Sequence, residues 1–154
     1  MTPAALRERL LAAGELALLD VREQGVHTQG HPFFACSLPL SRLETMVLDL
    51  VPRFDAPLVL LDGGDGSGLA ERTAAKLKHF GYTQVEILEG GCAAWKATGG
   101  ELFSGVNVPS KAFGEFVEHH YGTPRIPPAE LQRLKASGRK LVILDSRPWR
   151  STTA

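Results

Sequence analysis

A glycine-rich turn between an apolar run and an amphipathic run is the part of the sequence best suited to chemistry. The segment reads LVLLDGGDGSGLAERTAAKL and covers residues 58–77. Its turn contains Asp62, Asp65 and Ser67, but no cysteine, histidine or lysine that could act as nucleophile or base. The backbone N–H groups of such a turn, with the start of the next helix, could hold an anion. Because the turn lacks a Walker lysine and the GxGxxG spacing, a purely structural turn is an equal alternative.

The two cysteines and an adjacent pair of histidines are the other reactive groups. Cys36 lies in FFACSLPL, which reads as a short buried strand, and Cys92 begins an apolar helical segment. They are far apart and neither forms a CxxC pair, so we expect free thiols in a reducing cytoplasm. His119 and His120 are neighbours in a predicted helix and therefore point in different directions. We expect no metal site and no other cofactor.

Composition excludes several classes of partner. The chain has 154 residues, with 17 basic and 17 acidic side chains and a formal net charge of zero. It has no basic cluster and no aromatic RNA-binding motif, so we expect no nucleic-acid partner. No stretch approaches the roughly 20 apolar residues that span a membrane, and the N-terminus lacks a signal-peptide core. The length fits one α/β domain with an appended segment, whose partner would be a small molecule or a protein.

Strands alternate with helices along the first hundred residues. Three apolar runs predict buried strands, at residues 16–20, 58–62 and 85–88. Helical spacing predicts helices over 4–13 and 69–80, and Ser41 followed by Glu44 is a capping box that predicts another helix start. Strands separated by helices pair in parallel with right-handed crossovers. We therefore expect an open parallel α/β sheet of about five strands, flanked by helices.

The strand ends place several acidic residues at one edge of this predicted sheet. Asp20, Asp62 and Glu89 each fall at the carboxyl end of a predicted strand. In open α/β sheets the ligand crevice lies at that edge. The glycine-rich turn is therefore expected where a ligand would bind.

Three segments together resemble the rhodanese (sulfurtransferase) family. LLDVRE followed by GHP is similar to its first signature, an Asp-x-Arg pair and a Gly-His turn. The residues that carry this signature are Asp20, Arg22, Gly30 and His31. The segment 58–77 resembles the family's active-site strand, loop and helix, and LEGGCAAWKATGG at 88–100 resembles its closing strand and helix. The resemblance extends over residues 1–103.

The resemblance implies a cysteine that takes sulfane sulfur from a donor such as thiosulfate and passes it to cyanide or a protein thiol. Asp62 stands at the position of that cysteine, and Gly63 and Gly66 stand where the family often has arginine. Asp65 adds negative charge where an anionic donor would approach. A carboxylate cannot form a persulfide, so we predict a domain that is catalytically incompetent by itself. The corresponding loop comprises Asp62, Gly63, Gly64, Asp65, Gly66 and Ser67.

Several interpretations of these residues remain open. Asp62 and Asp65 could simply accept loop N–H groups and favour the next helix N-terminus. Asp62 could be a nucleophile as in aspartate-based phosphatases, although those need an aspartate two residues later and a metal. Cys36 or Cys92 could carry the sulfur instead, in an active thiosulfate sulfurtransferase. The loop could also belong to an anion- or protein-binding module.

The last third of the sequence repeats its beginning. Within residues 3–22, residues 125 positions apart are identical at seven places, where Pro3, Ala4, Leu6, Leu16, Leu19, Asp20 and Arg22 match Pro128, Ala129, Leu131, Leu141, Leu144, Asp145 and Arg147. PPAELQRLKASGRKLVILDSRP therefore resembles the first helix and strand of another rhodanese domain. We predict a domain over 1–103, a connector with one helix over 104–127, and the start of a second, incomplete repeat over 128–154.

One helix and one strand cannot bury a core, which leaves two interpretations of this repeat. We expect a fragment of a longer tandem sulfurtransferase, in which this domain serves as scaffold or regulator. Alternatively, the extra elements pack on the first domain or on a partner. The predicted partners are a small sulfur-containing anion, another protein, or missing C-terminal rhodanese domains.

Overall fold

The computed structural model describes residues 1–144. A boundary between two compact units falls after Gly114. The first unit holds four strands, β1 (Ala17–Asp20), β2 (Cys36–Ser37), β3 (Leu58–Leu61) and β4 (Val85–Ile87). The helices are α1 (Pro3–Leu11), α2 (Gln24–His27), α3 (Leu43–Leu50), α4 (Leu69–His79), α5 (Gly91–Ala97), α6 (Val108–Tyr121) and α7 (Pro128–Ala136). No helix among the described residues is long and apolar enough to cross a membrane.

The sheet is parallel throughout, with the strand order β2-β1-β3-β4. β1 and β3 are the inner pair, and Asp20 at the end of β1 is in register with Leu61 at the end of β3. The predicted open parallel α/β sheet is therefore confirmed. Its register places the last residues of these two strands side by side at the carboxyl edge.

The sheet has four strands where about five were expected. On the outer side of β4, the N-terminal amine of Met1 donates to the Ile87 carbonyl oxygen at 2.8 Å. The Glu89 N–H donates to the Met1 carbonyl oxygen at 2.9 Å. A fifth strand beside β4 would make hydrogen bonds of this kind along its length. Here Met1 alone makes them. The expected strand count is corrected to four within the described residues.

Both faces of the sheet are covered, which explains the unbroken apolar run in β3. Leu58 and Leu60 pack in the core that α3 and α4 cover, whereas Val59 and Leu61 pack in the core with Leu6 of α1. All four residues of β3 are buried. Continuous apolar runs are typical of parallel strands that are covered on both faces.

Two local predictions are wrong. Ser41 lies inside a 3-10 turn (Leu40–Arg42) that leads directly into α3, so the capping box does not form and Arg42 takes the cap position without a side-chain bond. Glu44 instead pairs with Lys76. Cys36 is exposed, because β2 is a two-residue edge strand with no outer neighbour in the described chain.

The repeated segment forms its helix but no strand in the described residues. α7 corresponds to α1, and both helices begin with a proline in their first turn. Residues 141–144, which match the start of the strand in the first domain, have no strand partner in the described chain. Asp145 and Arg147, the last matched positions of the repeat, lie outside the described residues. The assignment of 128–154 to a second repeat therefore stays a prediction.

Candidate functional site

Two buried carboxylates lie at the carboxyl edge of the sheet. Asp20 ends β1 and is fully buried, and Asp62 follows β3 directly and is 8% exposed. The glycine-rich turn runs from Asp62 to the first residue of α4, Leu69. The structure thus places the predicted loop at the edge where ligands bind in α/β sheets.

The carboxylate of Asp62 binds backbone donors of its own loop. Its Oδ1 accepts the Gly64 N–H at 2.9 Å, and its Oδ2 accepts the Ala70 N–H in the first turn of α4 at 3.3 Å. Asp65 is exposed and accepts the Ser67 N–H at 3.0 Å. These are the contacts that the structural interpretation of the two aspartates predicted. The loop is held by internal hydrogen bonds.

Close backbone contacts fix the loop against the start of α5. The N–H of Cys92 donates to the Asp62 carbonyl oxygen at 2.8 Å, and the N–H of Ala93 donates to the Gly63 carbonyl oxygen at 3.2 Å. A Cβ atom at Gly64 would lie only 2.1 Å from the Gly90 carbonyl oxygen. Gly64 also has φ +75°, which an L side chain rarely adopts. Glycine is therefore required where the loop meets α5.

Asp20 lies in a charged cluster with Arg22. The guanidinium donates from Nη2 to Oδ2 at 2.6 Å and from Nε to Oδ1 at 2.9 Å. Arg22 Nη2 also donates to the Gly30 carbonyl oxygen at 2.8 Å. Burial works to raise the pKa of Asp20, but the bonds and charge of Arg22 and the bond to His27 bring it below the ordinary value. Arg22 therefore forms a bidentate ion pair with Asp20.

Two buried histidines extend this cluster. His27 Nδ1 lies 2.9 Å from Asp20 Oδ2, and the His27 and His31 rings stack with centroids 3.7 Å apart. His31 donates from Nδ1 to the His27 carbonyl oxygen, and its backbone pairs with Phe103. Burial lowers the pKa of His31, although the hydrogen bond to the His27 carbonyl oxygen opposes that shift. His27 was not predicted as a site residue, although its four-residue spacing from His31 indicates a shared helix face.

A cleft of about 510 Å³ opens beside the Asp62 loop. Its walls are formed by the glycines of the loop and by the residues that follow β4. The charged side chains that line it are Asp62, Glu71 and Glu89, and no lysine or arginine is among the lining residues. The cleft is therefore acidic.

A family model for the rhodanese-like domain matches residues 2–98. The chain belongs to the rhodanese-like domain family. This finding confirms the resemblance seen in the sequence and makes the chain a member of the sulfurtransferase family. No curated protein matches the chain.

Several solved structures are similar to this rhodanese-like chain. The thiosulfate sulfurtransferase from Pseudomonas aeruginosa is 49% identical over 97% of this chain, with a TM-score of 0.89. The rhodanese-like domain of an Anabaena sp. protein is 27% identical, with a TM-score of 0.52, and the match covers 64% of this chain and 92% of that domain. A rhodanese-related protein from Thermoplasma volcanium is 22% identical over 66% of this chain and 94% of that protein, with a TM-score of 0.56. The present chain spans 28% of the length of the Pseudomonas protein.

The thiols of this rhodanese-like domain differ in environment. Cys92 is 4% exposed, and burial raises the pKa of its thiol to about 12, with Arg22 opposing and the two nearby aspartates adding to the shift. Burial also raises the pKa of Cys36, although that residue is exposed. Both groups are therefore protonated thiols near neutral pH, and the thiolate is the nucleophilic form.

His119 and His120 are adjacent in the last turn of α6. His120 stacks on Phe116 with ring centroids 5.3 Å apart. Within residues 1–144, no group of three or more histidine, cysteine or acidic side chains could hold a metal ion. Within the first unit, the residues brought together at the candidate site are Asp20, Arg22, Gly30, His31, Asp62 and the loop that follows it.

Proposed function

We propose that this rhodanese-like domain does not itself transfer sulfur and serves as a scaffold or regulatory module of a longer sulfurtransferase. Asp62 would occupy the position at which the family places its persulfide cysteine. Its location supports this assignment, since it lies directly after β3 and before the loop that leads into α4. In this account the domain keeps the shape of a sulfurtransferase site without its nucleophile.

The main support for the proposal is that backbone N–H groups of the loop already donate to the Asp62 carboxylate. A persulfide or a bound thiosulfate would need backbone N–H groups that converge on its negative charge. The Asp62 carboxylate already accepts the N–H groups of Gly64 and Ala70. The side chain that replaces the nucleophile therefore also fills part of the anion site.

The electrostatics of the cleft further support a non-catalytic role. Thiosulfate carries two negative charges, and Asp62, Glu71 and Glu89 line the cleft through which it would enter. Arg22, whose charge acts on Asp62, is held by two side-chain bonds to Asp20. The N-terminal amine of Met1 lies 3.3 Å from Glu89, and Arg72 donates to the Gly68 carbonyl oxygen, so these two cations have partners as well. Like charges in a cleft repel an anion and lower its local concentration. The same argument disfavours the alternative of an anion-binding module.

The relocated-thiol alternative is less well supported than the non-catalytic one. Cys92 is buried with a strongly raised pKa, and its N–H is already bonded to the Asp62 carbonyl oxygen. Cys36 is accessible, but its pKa is also raised by burial, and it lies on the edge strand β2. Neither thiol has the low-pKa setting of a sulfur carrier.

The partners we propose follow from the scaffold role. They are further rhodanese domains or another protein, with a small sulfur-containing anion bound at a catalytic domain elsewhere. The internal repeat and the similarity to a much longer Pseudomonas sulfurtransferase support this context. Two free cysteines support a reducing cytoplasm as the location.

A sulfur-transfer assay tests the proposed function. The purified chain is given thiosulfate and cyanide, and thiocyanate is measured for the native chain and for the Cys36→Ala and Cys92→Ala variants. We expect no turnover above the uncatalysed rate in any of the three. Turnover by the native chain that disappears in one cysteine variant would establish a relocated thiol and overturn the proposal.

A further inference from the structure

The glycine-rich loop contains both Asp-Gly pairs of the sequence, Asp62–Gly63 and Asp65–Gly66. In such a pair the backbone nitrogen of the glycine can attack the side-chain carboxyl carbon of the aspartate, because glycine has no Cβ atom to obstruct the approach. The attack requires a carboxyl group that is free to turn onto that nitrogen. The two pairs therefore allow the same reaction, and their surroundings determine which of them undergoes it.

The surroundings of Asp62 oppose this attack. Asp62 is 8% exposed, and its carboxylate accepts the N–H groups of Gly64 and Ala70 at 2.9 and 3.3 Å. The Cys92 N–H donates to the Asp62 carbonyl oxygen at 2.8 Å, which holds the peptide unit between Asp62 and Gly63 against α5. Turning the side chain onto the Gly63 nitrogen would break both carboxylate bonds inside a buried site.

The surroundings of Asp65 leave the reaction open. Asp65 and Gly66 are both exposed, and a Cβ atom at Gly66 would meet nothing within 4 Å. The Asp65 carboxylate accepts the Ser67 N–H at 3.0 Å, in an exposed bond that water can replace. Exposed loop tips open locally at a low cost in free energy. The Asp65 side chain can therefore turn onto the Gly66 nitrogen without breaking the bonds of Asp62.

We propose that Asp65 is a site of spontaneous backbone isomerisation and that Asp62 is not. In the first step the Gly66 nitrogen forms a bond to Cγ of the neutral Asp65 carboxyl group, and the nitrogen's proton and the carboxyl hydroxyl leave as water. Water then adds to either carbonyl carbon of the resulting succinimide and breaks its bond to the nitrogen. Cleavage at the side-chain carbon restores aspartate, whereas cleavage at the main-chain carbon gives isoaspartate. Water is the only co-reactant.

The charge state of Asp65 determines the speed of the first step. Hydrogen bonding by Ser67 holds the pKa of Asp65 below its ordinary value of 3.8, so the reactive neutral carboxyl group is scarce near neutral pH. The reaction is therefore slow at about pH 7 and becomes faster as the pH falls towards about 5.

Isomerisation at Asp65 would alter the wall of the acidic cleft, because Gly66 lines that cleft. Isoaspartate places the side-chain methylene carbon in the main chain and leaves the α-carboxylate as the free acid group. The loop then becomes longer by one main-chain atom. The modification changes the shape of the candidate site, while the mass and net charge of the chain stay the same.

Incubation of the full chain in heavy-oxygen water at about pH 6 tests this assignment. Each succinimide that opens keeps one heavy oxygen, so fragmentation of the loop peptide in a mass spectrometer locates the reaction and distinguishes isoaspartate from aspartate. In the folded chain we expect at least about tenfold more label at Asp65 than at Asp62, since two further hydrogen bonds must break at Asp62. In the urea-unfolded chain both aspartates should be labelled at similar rates, which also sets the incubation time.

Two variants control for reactions elsewhere in the chain. Asp65→Ala removes the reacting carboxyl group and should eliminate the label at position 65. Asp55→Ala removes another exposed aspartate, which is not followed by glycine, and should leave the label at Asp65 unchanged.

Three results would overturn the proposal. They are equal labelling of the two aspartates in the folded chain, stronger labelling of Asp62, and no labelling of Asp65 after the time that labels both in urea. The inference goes beyond the proposed function and does not depend on it, because sulfur transfer is not measured. An active native chain would contradict the proposed function and leave this result unaffected.

Discussion

Asp20 and Asp62 are buried carboxylates at the ends of neighbouring parallel strands, but their partners differ in kind. Asp20 is bonded to the guanidinium of Arg22 and to His27. Asp62 is bonded only to the backbone N–H groups of Gly64 and Ala70. The first carboxylate is part of a charged side-chain cluster, and the second fills a backbone cradle.

This difference indicates that Asp20 stabilises the fold, whereas Asp62 determines the chemistry of the loop. The Asp20 cluster ties β1 to the Gly-His turn, because Arg22 also binds the Gly30 carbonyl oxygen. Removing it would leave buried charges without partners. The Asp62 contacts involve donors that any suitable anion could use, so replacing Asp62 would change the chemistry of the loop more than the fold.

The largest expected effect is on stability, from Asp20→Ala. The substitution leaves Arg22 and the buried His27 without their shared carboxylate, which costs about 3 to 5 kcal/mol for a broken buried ion pair. The free energy of unfolding from urea titration measures the loss. Asp20→Asn serves as the matched variant, since it keeps the shape and one acceptor oxygen and should lose less. Equal stability of the alanine variant and the native chain would contradict a structural role for this cluster.

Asp62→Ala should have a smaller effect. It removes a carboxylate that caps Gly64 and the first turn of α4, and losing such a cap typically costs about 1 to 2 kcal/mol. The same urea titration measures it, with Asp62→Asn as the variant that retains an acceptor. A loss as large as that of Asp20→Ala would show that the two carboxylates do not differ in the way described.

The pH dependence of stability should reveal His31, which stacks on His27 beside Asp20. The folded pKa of His31 is below its ordinary value of 6.5, so the unfolded chain binds its proton first. This contribution is fully present above about pH 6.5 and is lost as the pH falls below it. The lowered pKa of Asp20 acts in a separate window, with stability lost below its ordinary 3.8.

Urea midpoints measured between pH 7.5 and pH 5 test this prediction. His31→Asn should flatten the fall between about pH 6.5 and pH 5, because the titrating group is gone. The control His79→Asn removes an exposed histidine and should leave the native profile unchanged. An unaltered slope in the His31 variant would exclude this histidine as the source.

The smallest effect expected is on thiol accessibility near the Asp62 loop. Cys36 is exposed and should react with a thiol reagent in the folded chain, whereas the buried Cys92 should react only after unfolding. Cys36→Ala should therefore abolish native-state labelling, and Cys92→Ala should leave it intact. Fast labelling of Cys92 in the folded chain would mean that the loop opens readily over α5.

Most of the sheet could be predicted because its central strand is covered on both faces. The continuous apolar run at Leu58–Leu61 identified β3, and the acidic residue after it identified the edge of the site. Short edge elements were less predictable. β2 has only two residues, so local sequence carries little information on the exposure of Cys36. The capping box at Ser41 failed because a 3-10 turn already covers the start of α3.

The contacts of the candidate site depend on distant parts of the chain. The stacking of His27 on His31 and the pairing of His31 with Phe103 require the folded Gly-His turn. The contact between the Asp62 loop and α5 requires glycine at two positions, Gly64 and Gly91. A side chain at either position would clash with nearby backbone atoms, and these contacts exist only in the folded chain. The residues of the loop could be identified from the sequence. Which N–H groups donate to Asp62 depends on the packing of the folded chain.

Persulfide formation at position 62 tests the central claim most directly. The native chain, Asp62→Cys and the control Asp65→Cys are treated with thiosulfate and examined by intact mass. A cysteine thiolate at position 62 would attack the sulfane sulfur, break its bond to the sulfonate group and release sulfite, which adds about 32 Da. We predict this gain for Asp62→Cys alone, at a slow rate because Glu71 and Glu89 still line the cleft. Two results would contradict the claim that Asp62 replaces the nucleophile of a sulfurtransferase site. They are sulfur on the native chain and an Asp62→Cys variant that folds normally but stays unmodified.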